Sequence, residues 1–251
     1  MPELDIWFFM IAGPAVLFAG ISKGGFGSGA AFAGSSILAI VLEPGLALGV
    51  MLPLLMLIDA GSLRPYWGQW RWREGLLMIV GAVPGVALGA WFYTLVDADS
   101  LRILLAVICF LFVFWQLAQR AGLVPVAGKA LPDWVGGITG VVVGFTSFVS
   151  HAGGPPAAVY MLSQRMKKLE YQATSVLVFG AVNICKAVPY GMLGLFTWET
   201  LEANVYLAPF ALLGTWIGVR LHKMIPEQLF FNITYCLLAI TGSKLLWDGL
   251  V

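Results

Sequence analysis

Apolar residues fill this chain in long blocks separated by short polar turns, and glycine-rich stretches break the pattern in two places. Blocks such as "LRILLAVICFLFVFWQL" (101–117) and "FFNITYCLLAITGSKLLW" (230–247) have the length and polarity of helices that span a bilayer. Ten blocks are predicted, five in each half of the chain. The first half has them at about 6–22, 27–42, 45–63, 74–93 and 100–118. The second has them at about 134–150, 155–164, 170–191, 201–221 and 228–247. The block from Pro155 to Gln164 would rise only ~15 Å, half of a ~30 Å hydrocarbon core, so it does not cross. The first two blocks of each half therefore read as a helical hairpin with its glycine-rich tip inside the membrane. The tips are "GISKGGFGSGAAFAG" (20–34) and "SFVSHAGGPPAAVYM" (147–161).

The halves align on these tips. Gly24-Gly25 falls on Gly153-Gly154, Asp59 on Asn183, and Pro65-Tyr66 on Pro189-Tyr190. Gly85 and Gly89 fall on Gly214 and Gly218. A hairpin followed by three spans crosses an odd number of times, so the second half is expected upside down relative to the first. The expected organisation is a first membrane repeat over 1–119, a polar cytoplasmic linker over 120–133 and an inverted repeat over 134–251. With the 64–74 loop placed in the cytoplasm, that side receives Arg64, Arg71, Arg73, Arg120, Lys129, Arg165, Lys167, Lys168, Arg220 and Lys223. The far side receives Arg102 and Lys244. This asymmetry follows the positive-inside rule and puts both termini on the non-cytoplasmic side of an inner (plasma) membrane.

Composition narrows the class further. Charged residues are 11% of the 251, against roughly 25% in soluble domains, and hydrophobic residues are 60%. The chain is expected to be an all-α polytopic membrane protein whose partner is the lipid bilayer. No basic tail points to nucleic acid, and the acidic start "MPELDIW" is unlike a cleavable signal. Cys109, Cys185 and Cys236 are unclustered in apolar runs and read as small buried hydrophobes. With His151 and His222 the only histidines, and no paired metal-ligand spacing, neither a metal, a cofactor nor an enzyme is expected.

Broken backbone is tolerated at membrane depth only where it is buried in protein or lines a cavity. Paired breaks in inverted halves point to a transporter's substrate site. With the short second arms starting just after Gly24-Gly25 and Gly153-Gly154, their N-termini would aim free N–H groups at the centre and favour an anion. The expected binding residues are Ser22, Lys23, Gly24, Gly25 and Ser28 at the first tip. At the second they are Ser147, Ser150, His151, Gly153 and Gly154, with Asn183 and Lys186 from the following span. Asp59 and His151 are candidates for proton coupling. Plainer roles stand beside these. Lys23 is a loop lysine if its hairpin crosses fully, and Lys186 could snorkel outward with Tyr190 as an interfacial anchor. Asp59 could simply pair with Lys23 or Arg64, His151 could be a hydrogen-bonded tip residue, and Arg64 and Tyr66 read as interfacial. The Gly85/Gly89 and Gly214/Gly218 pairs read as close helix packing, and small-xxx-small pairs would permit a homodimer.

The duplicated tips "GGFGSGA" and "HAGGPPA", each followed by an apolar arm and a Pro-Tyr-ended span, resemble the TauE/SafE sulfite exporter family, also called the toluenesulfonate uptake permeases. The resemblance covers essentially the whole chain. Gly153-Gly154-Pro155 matches the family pattern, whereas residues 29–31 read "GAA" where many members carry three glycines. The resemblance implies a secondary transporter for a small sulfur-containing anion such as sulfite, sulfoacetate or another organosulfonate, working by alternating access in the export direction. A passive anion channel of the same fold, or an uptake permease for organosulfonates or other organic acids, are the alternatives.

Overall fold

The computed structural model describes residues 6–26, 31–123, 130–222 and 227–250. Ten α-helices run in the order α1 (Ile6–Gly25), α2 (Phe32–Val41), α3 (Pro44–Leu63), α4 (Trp72–Tyr93), α5 (Ala98–Arg120), α6 (Asp133–Ser150), α7 (Gly154–Ser163), α8 (Lys168–Met192), α9 (Trp198–Leu221) and α10 (Glu227–Leu250). Helices α2 and α7 have ten residues each, so each rises only ~15 Å. Helices α1, α3, α4, α5, α6 and α8 are long and apolar enough to cross a membrane. Helices α9 and α10 match them in length, and α9 turns Val205, Leu212, Leu213 and Trp216 outward. An outward apolar face of this kind belongs in lipid, and exposed tryptophans mark its borders. Trp7, Trp72, Trp134 and Trp198 stand at helix starts, and Trp91 and Trp247 stand near helix ends.

Local signals set most boundaries. Pro44 opens α3, Pro155 and Pro156 occupy the first turn of α7, and Asp97 caps α5 by accepting from the Ser100 N–H at 2.8 Å. Glu170 accepts from the Lys167 N–H at the start of α8, and Thr197 caps α9. The α6–α7 break needs a sharper device. His151 takes a left-handed conformation (φ 56°) as the C-cap of α6, and its N–H donates to the Ser147 carbonyl at 3.0 Å.

The first break lies later than its glycines suggest. Helix α1 continues through Ser22, Lys23, Gly24 and Gly25, and α2 starts only at Phe32. Packing explains this. A Cβ on Gly24 would lie 2.9 Å from the Thr215 carbonyl oxygen, and a Cβ on Gly20 would lie 2.8 Å from that of Ala211. Gly24 and Gly25 are thus helical residues that let α1 lie directly on the backbone of α9. Ser28 is outside the described residues.

Helix pairing is reciprocal between the halves. Helix α9 packs along α1, α4 along α6, α5 along α10 and α3 along α8. Both heterologous pairs use small residues as expected. Gly214 and Gly218 of α9 face Gly20 and Gly25 of α1, and Gly81 and Gly85 of α4 face Gly140 and Val141 of α6. The broken helices of each half are therefore clamped by the other half.

Candidate functional site

The last carbonyls of an α-helix have no partner within the helix, and inside a membrane each must find one. At the end of α1, the Ser22 carbonyl accepts from the Phe26 N–H at 2.8 Å. The next three carbonyls accept from side chains of three separate elements. Gln172 of α8 donates to Lys23 at 2.8 Å, and Tyr66 of the α3–α4 turn donates to Gly24 at 2.7 Å. His222, the C-cap of α9, bonds Gly25 through Nδ1. Tyr66 is buried in the protein, and burial pushes its hydroxyl up to about 12, so it remains a donor.

At the end of α6 the same problem is solved in kind. Tyr190 donates to the Phe148 carbonyl at 2.5 Å, Lys186 to Ser147 at 3.0 Å and Ser35 of α2 to Ser150 at 3.2 Å. Tyr190 is the residue aligned with Tyr66. Lys186 and Tyr190 are fully buried, so neither snorkels to a surface. Ser35 also ties the first turn of α2 to the second break, and Phe32, Ala33 and Ala152 share one apolar cluster. The N-terminal ends of the two short arms therefore adjoin each other inside the protein.

Between the two breaks runs a buried polar cluster. Lys23 Nζ lies 2.6 Å from Asp59 Oδ2, which also accepts from Asn183 Nδ2 at 2.7 Å. One turn further along α8, Lys186 Nζ donates to the Ser147 carbonyl at 3.0 Å, to Ser147 Oγ at 3.0 Å and to His151 Nδ1 at 2.8 Å. An ammonium has three donors, and these contacts use all three. With Lys186 as an ammonium, His151 Nδ1 is the acceptor and the ring proton sits on Nε2, facing the Leu48 carbonyl at 3.4 Å. Among the described residues no carboxylate lies within ion-pairing distance of Lys186, and Lys23 and Asp59 are within electrostatic reach of it. Two lysines face one aspartate, so with all three ionised the cluster has a formal excess of one positive charge.

Of the expected site residues, Lys23, Asp59, Asn183, Lys186, Ser147 and His151 come together here. Ser150 holds the second break through its Oγ bond to the Thr146 carbonyl at 2.7 Å, and Ser22 is buried beside Lys23. Gly153 is a packing residue, because its Cβ would lie 2.8 Å from the Phe179 ring. Gln172, Tyr66 and His222 were not among the expected site residues. Gln172 had a signal, since Gln172, Ser175, Phe179, Asn183, Lys186 and Tyr190 recur at helical spacing along one face of α8. Among the described residues no three His, Cys, Asp or Glu side chains converge as metal ligands would.

A cleft of about 370 Å³ lies beside this region. Gly25, Phe26 and Gln172 line it together with Pro155 and Ala158 of α7, Gln116, Lys168 and His222. The cleft thus touches the end of α1 and the N-terminal turn of α7.

The fold and site define a polytopic α-helical membrane protein whose two broken helices enclose a buried polar cluster containing two lysines and one aspartate. The sulfite exporter TauE/SafE family matches residues 12–245, and the chain belongs to that family of membrane transporters. Among curated proteins, the "Probable inner membrane transporter protein TsaS" of Comamonas testosteroni is 27% identical over 198 residues, which cover 76% of this chain and 81% of the relative. No solved structure matches the chain.

Proposed function

We propose that this protein is a secondary transporter carrying a small sulfur-containing anion, such as sulfite, sulfoacetate or another organosulfonate, across the inner membrane. The observation that carries this reading is Lys186, a fully buried lysine with no carboxylate partner. An ammonium at membrane depth costs roughly 2.5–3.5 kcal/mol on insertion scales, and a bound anion is the partner that would offset it. The adjoining N-termini of α2 and α7 add partial positive charge of the same sense. Sulfur chemistry is taken from the family and from nothing else in the site.

Lys168 and His222 line the cleft, at the start of α8 and the end of α9, where Arg165, Lys167 and Arg220 also lie along the chain. The positive-inside rule assigns that end to the cytoplasm and both termini to the opposite side. This reading makes the present conformation inward-facing. Rocking of one clamped half against the other would turn the site outward.

Counterflow in proteoliposomes tests the assignment. Labelled sulfite, sulfate, thiosulfate, sulfoacetate and taurine are each offered to vesicles preloaded with the unlabelled compound. Saturable counterflow of at least one sulfur-containing anion is expected. Large single-channel currents without counterflow would replace the carrier with a passive pore, and no movement of any of them would overturn the substrate class.

A further inference from the structure

Four buried polar atoms between α3 and α8 have no hydrogen-bond partner among the described residues: Gln172 Oε1, Ser175 Oγ, Ser62 Oγ and Asp59 Oδ1. Such atoms are uncommon, and native proteins usually satisfy them with water. Their placement gives them an order. Tyr66 packs with Ala173 and Val176, whereas a Cβ on Gly180 would lie 3.8 Å from that of Asp59. Helices α3 and α8 are therefore antiparallel here, and Ser62, between Tyr66 and Asp59, falls opposite the stretch between Val176 and Gly180. Gln172 lines the cleft at one end of this row, and Asp59 closes the other. Lys23 spans the same interval, because its carbonyl receives Gln172 while its ammonium meets Asp59. The row is thus about as long as one extended lysine side chain.

We infer that Asp59 is the proton-coupling site of this transporter, reached from the cleft past Gln172, Ser175 and Ser62. This rests on the transporter reading above and adds the coupling ion to it. Asp59 Oδ2 is committed to Lys23 and Asn183, and Oδ1 is free to take a proton. The charged groups facing it are Lys23 from α1 and Lys186 from α8, the latter bonded to His151 at the end of α6. Among the described residues no charged side chain of α2, α5 or α9 acts on it. Protonation of Asp59 removes the counter-charge of Lys23 and leaves the cluster with two uncompensated lysines, which strengthens its hold on an anion. By linkage, a bound anion raises the proton affinity of Asp59 by the same factor. Proton and anion then move together.

The test uses proteoliposomes containing a pH-sensitive dye, with an inward gradient of sulfoacetate or thiosulfate. Both probes are fully ionised near neutral pH and bring no proton of their own. Wild-type protein should acidify the lumen by about one proton per anion, and Asp59→Asn should bring that ratio near zero. Ser62→Ala should slow net uptake several-fold while labelled-anion exchange keeps its wild-type rate. Because Asp59→Asn leaves Lys23 unpaired, Lys23→Met/Asp59→Leu serves as a second variant, also with a ratio near zero. An unchanged ratio in either Asp59 variant, or wild-type exchange with no lumen acidification, overturns the coupling site and leaves the transporter standing. No movement of either probe by wild-type protein, in exchange or net flux, overturns this inference, and the transporter reading is then judged by its own anion panel.

Discussion

Lys186 Nζ and His151 Nδ1 lie 2.8 Å apart at the second break, so a left-handed cap residue is hydrogen-bonded to a buried lysine that, among the described residues, has no carboxylate within ion-pairing distance. The contact joins backbone and function. His151 terminates α6 through its N–H, and its ring holds an ammonium that also ties down the Ser147 carbonyl. Under the proposed function, the residues that break the helix are also those that would hold the anion.

The Lys23–Asp59 pair is buried on both sides, so removing one partner leaves an uncompensated charge. Lys23→Met alone is expected to destabilise the protein by about 3–5 kcal/mol, and Lys23→Met/Asp59→Leu should recover most of that loss. Denaturation in mixed micelles measures both. Equal destabilisation by the single and double variants would remove the pair from the account.

Tyr66→Phe and Tyr190→Phe each delete one hydroxyl donor and leave the Gly24 or Phe148 carbonyl unsatisfied. Each is expected to cost about 1–3 kcal/mol, by similar amounts in the two halves. The same denaturation assay applies. A neutral result at either site would show that its carbonyl finds another partner.

Helix α6 offers an internal comparison. A Cβ on Gly137 would meet nothing within 4 Å, whereas one on Gly144 would lie 2.9 Å from both the Ala82 Cα and the Val86 nitrogen. Gly137→Ala should be neutral or stabilising by up to about 1 kcal/mol through helix propensity, and Gly144→Ala should reduce the yield of folded protein. Size-exclusion profiles and melting curves of the two variants provide the reading.

An odd number of crossings in each half, as the sequence leads one to expect, predicts the sidedness of the turns. With the native cysteines replaced, single cysteines at Gln69 and Arg165 should react with an impermeant maleimide only from the cytoplasmic face. Cysteines at Asp97 and Thr197 should react only from the other face. Labelling of all four from one face would contradict the inverted arrangement.

Much of this was legible in the chain. All ten helices fall within a few residues of the apolar blocks, because lipid-facing helices must be apolar throughout and the turns between them must not. The α6–α7 break was readable because Gly153-Gly154-Pro155-Pro156 cannot continue a helix. The first break was misplaced, and the reason is tertiary. Gly24 and Gly25 look like breakers in isolation, yet α9 lies against them, and Gln172, Tyr66 and His222 accept the role of capping the helix end they extend. Such caps come from residues 42 to 197 positions away, beyond the reach of local pattern. Lys23 and Asp59 illustrate the intermediate case. Their pairing was one of several options in the sequence, and only the approach of α3 to α1 selects it.

The most direct test of the buried cationic site compares melting of wild-type and Lys186→Met protein, purified in detergent, across sulfite, thiosulfate, sulfoacetate and taurine. A ligand at 100 times its dissociation constant stabilises by about 2.7 kcal/mol, which raises the melting temperature by several degrees. The account predicts such a shift in wild-type protein for at least one of the anions and its loss in Lys186→Met. An equal shift in both proteins would mean that the anion binds elsewhere.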